Sequence, residues 1–309
     1  MNELEKDYWK MVYNRQLLFH EKQLGLESSV VDPVLIRFKF TNMYRILDRT
    51  TQYLLKEVIN KGSEQIEEVF YRVFLFKLHN TPLVWEILCN EGYHELGNFD
   101  FEKMSSLVLD YKIEHKVNVY SSAYCTNWGS GKLSHYSDMT KQHFYLLKHI
   151  LQHTSFFSDL NNMKTLKKCG VQLKKLPMIG SFISYQLCLD LSYHSIIPFE
   201  ENESNSVVIG PGANKGLIKI FGSKKKELLY YLHSTQRDKF SDLDLNFPYL
   251  VLPNGEEREL SISDIEHTLC EYHKYKRYQE ALISGRKIGK VYKPKNIPLE
   301  IEYPRKWYR

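Results

Sequence analysis

The sequence predicts a mostly α-helical protein with minor β structure. Apolar residues recur at spacings of three and four over long stretches, the signature of helices with one buried face. Helix-start residues such as Pro33, Ser63 and Pro82 stand at the head of those stretches. β-like patterning is confined to two short pieces, at 206–209 and 249–252.

Taken in order, residues 2–26 form an amphipathic run with Tyr8, Met11, Val12, Leu17 and Leu18 as candidate core positions. Pro33 sets the start of a second run, IRFKFTNMYRILDRTTQYLLKEVI, read as one helix. A third, SEQIEEVFYRVFLFKLHN, starts at the N-cap candidate Ser63 and stops at Thr81-Pro82, where another opens. SHYSDMTKQHFYLLKHILQHT follows a glycine-containing loop at 128–131. The next stretch is MKTLKKCGVQLKKLPMIGSFISYQLCLDLSYH. With no internal repeat and no low-complexity linker, the chain reads as one helical domain, 1–282, followed by a basic C-terminal tail, 283–309.

The 309 residues are 43% hydrophobic and 26% charged, which excludes a disordered chain. There are 22 Tyr against four Trp, a composition that suits wet surfaces and base stacking as well as an ordinary core. Net charge is +5, but from Lys276 onward ten basic residues face three acidic ones. A basic end on a near-neutral body fits a phosphate backbone, and also a merely solvated tail. Five scattered cysteines with no C-x-x-C pair argue against a disulfide framework and a cysteine-rich metal site. The charged N-terminus and the absence of a long apolar run lead to the expectation of a soluble, cytoplasmic protein that does not engage membranes.

Leu176-Pro177-Met178-Ile179-Gly180 lies between two helical stretches and resembles the turn of a helix-hairpin-helix. Pro and Gly shape such a turn, and free amides at the start of the next helix can take a DNA phosphate. Met178, Gly180, Lys174 and Lys175 are the candidate phosphate contacts, although an ordinary helix–helix turn fits the same pattern. Downstream lie Asp190, in the apolar stretch LCLDLSY, and Glu200, Glu201 and Glu203. Gln186 and Asp190, four apart, share a helix face. Asp190 suits either catalysis or a structural ion pair. Gly210 to Gly216 follows a strand-like VVI, and there Gly212 and Lys215 are candidates for contact with an anion or simply part of a glycine-rich turn. The run lacks the G-x-x-x-x-G-K-[ST] order of a nucleotide loop.

Two polar clusters interrupt apolar helices. Asn42, Arg45, Asp48, Arg49 and Gln52 are spaced to share one side of the second run, and Glu266, Glu271, Lys274 and Arg277 fall together near the C-terminus. Either cluster can be a site or an ion-pair network between helices. His149 and His153 are four apart, but without an acidic partner they read as solvated side chains, not metal ligands. No metal and no cofactor is expected.

Taken together, FTNMYRILDRTTQYL, VFYRVFLFKLHN, LPMIGSFISYQLCLDL, VVIGPGANKGL and DIEHTLCEYHKYKR resemble the α-glutamyl/putrescinyl thymine pyrophosphorylases and the helical domain of 5-hydroxymethyluracil DNA kinases. The resemblance spans residues 36 to 278 and implies a helix-hairpin-helix DNA glycosylase-like fold acting on hypermodified pyrimidines in DNA. It places the family's motif residues on Arg45, Asp48, Arg49, Gln52, Gln186, Asp190, Gly210, Gly212, Gly216, Glu271 and Lys274, with an acidic residue at Glu203. This chain departs from the pattern at Met178, where glycine is usual, and has no Walker motif, which speaks against phosphorylation by this chain.

The first expectation from these observations is a DNA glycosylase that flips a modified pyrimidine, such as glucosylated hydroxymethylcytosine, and cleaves its N-glycosidic bond in antiphage defence. Glu203 or Asp190 would then be catalytic, and Asp48, Arg49, Gln52, Gln186, Glu271 and Lys274 would shape the base pocket. A second expectation keeps the pocket but replaces an activated group on 5-hydroxymethyluracil, as the pyrophosphorylases are thought to do with an amine. The third is a DNA-binding module without catalysis. In each the partner is DNA containing modified pyrimidines; protein partners are open.

Overall fold

The computed structural model describes residues 1–121, 136–152, 159, 162–200, 206–287, 291–292 and 298–308. In chain order the helices begin with α1 (Glu3–Gln23) and α2 (Pro33–Arg37), then a 3-10 turn (Arg45–Leu47) and α3 (Arg49–Tyr53), which runs into a π-helical turn (Leu54–Ile59). Next come α4 (Ile66–His79), α5 (Pro82–Asn90), α6 (Phe101–Glu114), α7 (Met139–Leu151), α8 (Leu166–Leu173) and α9 (Ser181–Ser192). Then follow α10 (Pro211–Phe221), α11 (Lys226–Ser234), α12 (Gln236–Asp242), strands β1 (Leu250–Val251) and β2 (Glu257–Arg258), and α13 (Ile262–Ile283). The mostly α expectation holds. The β structure in sheets is one antiparallel ribbon among the described residues, pairing Leu250 with Arg258 and Val251 with Glu257. The piece at 206–209 is not a strand.

The chain forms two compact units, one made of 1–49 and 207–303 with residue 308, the other of 50–206 with 304–307 and 309. The body expected at 1–282 is therefore shared between two units, and part of the basic C-terminal segment returns to the second.

In the first unit α13 is the central helix. A capping box starts it: the Ser261 hydroxyl accepts from the Asp264 amide while the Asp264 carboxylate accepts from the Ser261 amide. Helices α1, α2, α10 and α11 pack against it, with Tyr8, Trp9, Leu217, Leu229, Ile265 and Leu269 in the core. The closest approach is that of α10. A Cβ on Gly216 would stand 2.3 Å from the Leu269 carbonyl oxygen, and one on Gly212 would stand 2.3 Å from Cys270 Sγ. Both glycines lie inside a helix, not in a loop, and what approaches them is another helix. The Gly210 amide at that helix start donates to the Glu266 carboxylate at 2.8 Å.

The second predicted run departs furthest from expectation. It stops as a helix at Arg37, and residues 38–48 form an irregular corner with one 3-10 turn. Side chains have taken the backbone's hydrogen bonds, as Asn and Asp do when they compete with a helix. Asp48 Oδ1 accepts from the Asn42 amide at 3.0 Å, Asn42 Nδ2 donates to the Leu47 carbonyl at 2.6 Å, and the Arg45 amide donates to Asp264 at 2.7 Å.

In the second unit α4 is buried along nearly its whole length, and it packs against the π-helical turn, α5, α7 and α9. It begins at Ile66 and not at Ser63, whose hydroxyl instead accepts from the Gln65 amide. Asn80 ends it in the left-handed conformation, and Pro82 opens α5 as expected. Buried Arg72 donates to the carbonyls of Val58 and Ser63 and so secures the end of the π-helical turn. Helices α8 and α9 pack as a pair around the Leu176–Gly180 turn. Its Ile179 amide donates to the Leu176 carbonyl at 3.4 Å, Pro177 takes the second position, and Met178 the third at φ +63°. That is the residue order of a type II turn, in which the third position favours glycine. No described helix is long and apolar enough to cross a membrane.

Candidate active site

A polar cluster of the first unit is built on the 38–48 corner and one face of α13. His267, Glu271 and Lys274 follow one another at spacings of four and three, so a single helix face presents all three. Thr41 joins that face to the corner: its amide donates to Glu271 Oε2 at 3.0 Å, and its hydroxyl lies 2.6 Å from His267 Nε2. Lys274 completes the row, 2.5 Å from Glu271 and over the Phe40 ring at 4.7 Å. From α1, Arg15 reaches in and donates to Asn42 Oδ1 at 2.6 Å. Asn42 in turn holds Asp48 through its amide.

One atom of the cluster is unused. Asp48 Oδ2 is buried and makes no hydrogen bond among the described residues. Leaving a buried polar group unmatched costs about 1–3 kcal/mol, so such an atom calls for an explanation.

Burial pushes the Asp48 carboxyl above its ordinary value, against the opposing effects of His267, the Asn42 amide and Arg15, and nearby Glu271 adds to the rise. Burial also works against ionised Glu271, but Lys274, His267 and the Thr41 amide overcome it and hold that carboxyl low. His267 is lowered by burial despite the two carboxylates. Two carboxyls at one corner are thus driven apart, one toward the proton-carrying form and one toward permanent ionisation. A few residues away on α13, burial raises Glu266 to about 7, against the Gly210 amide and Arg45.

Of the residues expected at a site, the structure brings Asp48, Glu271 and Lys274 together. Arg49 follows Asp48 and is exposed, and Lys215 is exposed on α10. Gln52, Gln186 and Asp190 are buried in the second unit. There Asp190 Oδ2 pairs with Lys77 Nζ at 2.6 Å, with side chains only 1% and 6% exposed. Lys174, Lys175 and Gly180 are exposed at the hairpin, with Met178 half-buried between them. Glu201, Glu203, His153 and the 128–131 loop lie outside the described residues. Sequence reasoning missed His267, Thr41 and Arg15. The spacing of His267 from Glu271 and Lys274 could have revealed the first; nothing local marks the other two.

Residues 2–285 match the family described as 5-hmdU DNA kinase, helical domain. The chain belongs to that family. A curated relative, the 5-hmdU DNA kinase of Bacillus phage SP10, is 23% identical over 291 residues, covering 88% of this chain and 44% of its own length. The chain thus spans less than half of that relative. No solved structure matches it significantly.

These matches correct the first functional expectation. The family and its relative are named for chemistry on 5-hydroxymethyldeoxyuridine in DNA, not for cleavage of a glycosidic bond. The glycosylase and hydrolase assignment is withdrawn, and with it the roles of Glu203 and Asp190 in stabilising a sugar cation.

Proposed function

We propose that this chain is a DNA base-modifying enzyme that acts on 5-hydroxymethyluracil in DNA, substituting at the exocyclic methylene and leaving the glycosidic bond intact. One observation carries the reading: within the matched helical region, the corner at 38–48 gathers Arg15 and Lys274 around Asp48, His267 and Glu271. Paired cations suit the departure of an anionic group such as pyrophosphate from an activated hydroxymethyl base. A carboxyl and an imidazole beside them suit the proton transfer that an incoming amine requires. The sequence contains no G-x-x-x-x-G-K-[ST] run, which favours substitution over nucleotide-dependent phosphorylation at this corner.

The base must leave the stack to be reached, at a cost of a few kcal/mol that backbone contacts have to offset. We assign those contacts to Lys174, Lys175, Met178 and Gly180, with α8, the turn and α9 acting as a helix-hairpin-helix of the DNA glycosylase kind. Lys215, Arg49 and the basic C-terminal segment add positive charge. The partner is DNA carrying modified pyrimidines.

The test supplies an oligonucleotide with the pyrophosphate ester of 5-hydroxymethyluracil, together with putrescine or glutamate. Digestion and nucleoside mass spectrometry should show an amine-substituted thymine, released pyrophosphate and no abasic sites. Bound but chemically unchanged DNA with every amine would sink the proposal.

A further inference from the structure

We infer that Asp48 accepts the proton released by the incoming amine, and that His267, anchored by Thr41, is the positioning residue that holds it ready. The inference rests on the substitution reading above and names the groups that would move its proton. Asp48 is fixed through Oδ1 by the Asn42 amide, while Oδ2 is buried with no hydrogen bond among the described residues. Oδ2 is thus the oxygen whose capacity to take a proton is unused. Thr41 and Asn42 are consecutive, and between them they fasten His267, Glu271, Asp48 and Arg15 to one short stretch of backbone. The two carboxyls are held by main-chain amides, and His267 and Arg15 by the side chains of the same two residues, so the constellation keeps its geometry while one carboxyl changes protonation.

The step balances without an oxidant or a reductant. A neutral primary amine bonds to the exocyclic carbon as the carbon–oxygen bond to pyrophosphate breaks. Pyrophosphate leaves with that electron pair beside Arg15 and Lys274. The proton left on the new ammonium passes to Asp48 Oδ2. Glu271, tied to Lys274 and to the Thr41 amide, stays charged and takes no proton.

The groups acting on Asp48 are Arg15 from α1, His267 and Glu271 from α13, and the Asn42 amide within the corner. They make the test directional. Rate should fall with pH as Asp48 becomes protonated. Glu271→Gln removes a negative charge and should move that acid limb to lower pH. His267→Gln removes a group that disfavours protonation and should move it to higher pH. A purely structural pair would lower activity without opposite displacements.

The experiment is a single-turnover pH profile on the activated oligonucleotide with putrescine, beside a carboxyl carbon NMR titration of the full chain. Asp48→Asn, nearly isosteric, should lower the rate by about 100-fold or more, with partial rescue in Asp48→Glu. An Asp48→Asn rate within tenfold of wild type overturns the assignment while leaving the substitution reading intact. No product from wild-type protein that binds the DNA overturns the substitution reading itself. Should Asp48→Asn not fold, the titration decides: an Asp48 carboxyl at an ordinary value, unmoved by the two glutamine variants, overturns the inference.

Discussion

Each unit contains ionised side chains in its interior, and the two arrangements differ in kind. In the second unit Lys77 on α4 meets Asp190 on α9, both almost wholly withdrawn from water. In the first unit Arg15, Thr41, Asp48, His267 and Lys274 are only half-buried, and the Asp48 Oδ2 atom makes no hydrogen bond among the described residues. A closed ion pair fixes two helices against each other and has little reach toward a substrate. A half-open cluster with carboxyls driven in opposite directions suits the proton transfer proposed for it. Burial of charge therefore does not by itself mark chemistry.

The largest expected effect tests the closed side of that contrast. Lys77→Met should cost about 3–5 kcal/mol, because it removes the cation paired with a carboxylate that is only 1% exposed. In a chain of this size that is a fall in Tm of roughly 10 °C. Lys77→Met/Asp190→Leu, which removes both charges, should recover much of the loss in chemical denaturation. A Lys77→Met protein that is fully stable yet inactive would break the comparison and return Asp190 to the chemistry.

The same contrast explains what could be read from the sequence. Local signals worked where the structure is locally determined: Pro82 opens a helix, the helix before it ends ahead of Thr81-Pro82, and the Pro177–Gly180 turn joins a helix pair. Residues 36–59 defeated them. Their apolar spacing is helical, yet the backbone between Phe38 and Asp48 is held by Asp264 and Glu271, more than 200 positions away. Asp48, Glu271 and Lys274 were legible as polar residues in apolar surroundings. Their meeting was implied by the family resemblance and not by any local pattern, because it depends on the broken helix. Gly212 and Gly216 looked like a cradle for an anion, and packing between α10 and α13 accounts for both.

A smaller effect lies on α13. Burial holds Glu266 at about 7, above an ordinary 4.5. Because the folded value exceeds the unfolded one, the protonated carboxyl stabilises the fold at low pH, and that contribution is lost as pH rises through about 7. The loss is on the order of 3 kcal/mol above that range. Glu266→Gln retains an acceptor for the Gly210 amide and cannot ionise. It should match wild type near pH 5 and exceed it above pH 8 in thermal denaturation. Equal curves at both pH values would mean that Arg45 pairs with ionised Glu266 closely enough to cancel the burial cost.

The smallest effect separates stability from DNA binding at the hairpin. Met178 occupies a left-handed position at φ +63°, a conformation that costs a residue with a side chain about 1 kcal/mol relative to glycine. Met178→Gly should therefore raise Tm by roughly 2–4 °C, reduced by whatever packing the half-buried methionine supplies. If the turn grips a phosphate as a helix-hairpin-helix does, Lys174→Ala should weaken DNA binding across sequences and lower the salt slope by about one. Met178→Gly should leave that slope unchanged. A Lys174→Ala protein with an unaltered slope would leave α8 and α9 as a packed helix pair alone, and the search for the backbone contact would move to Lys215 and the basic C-terminal segment.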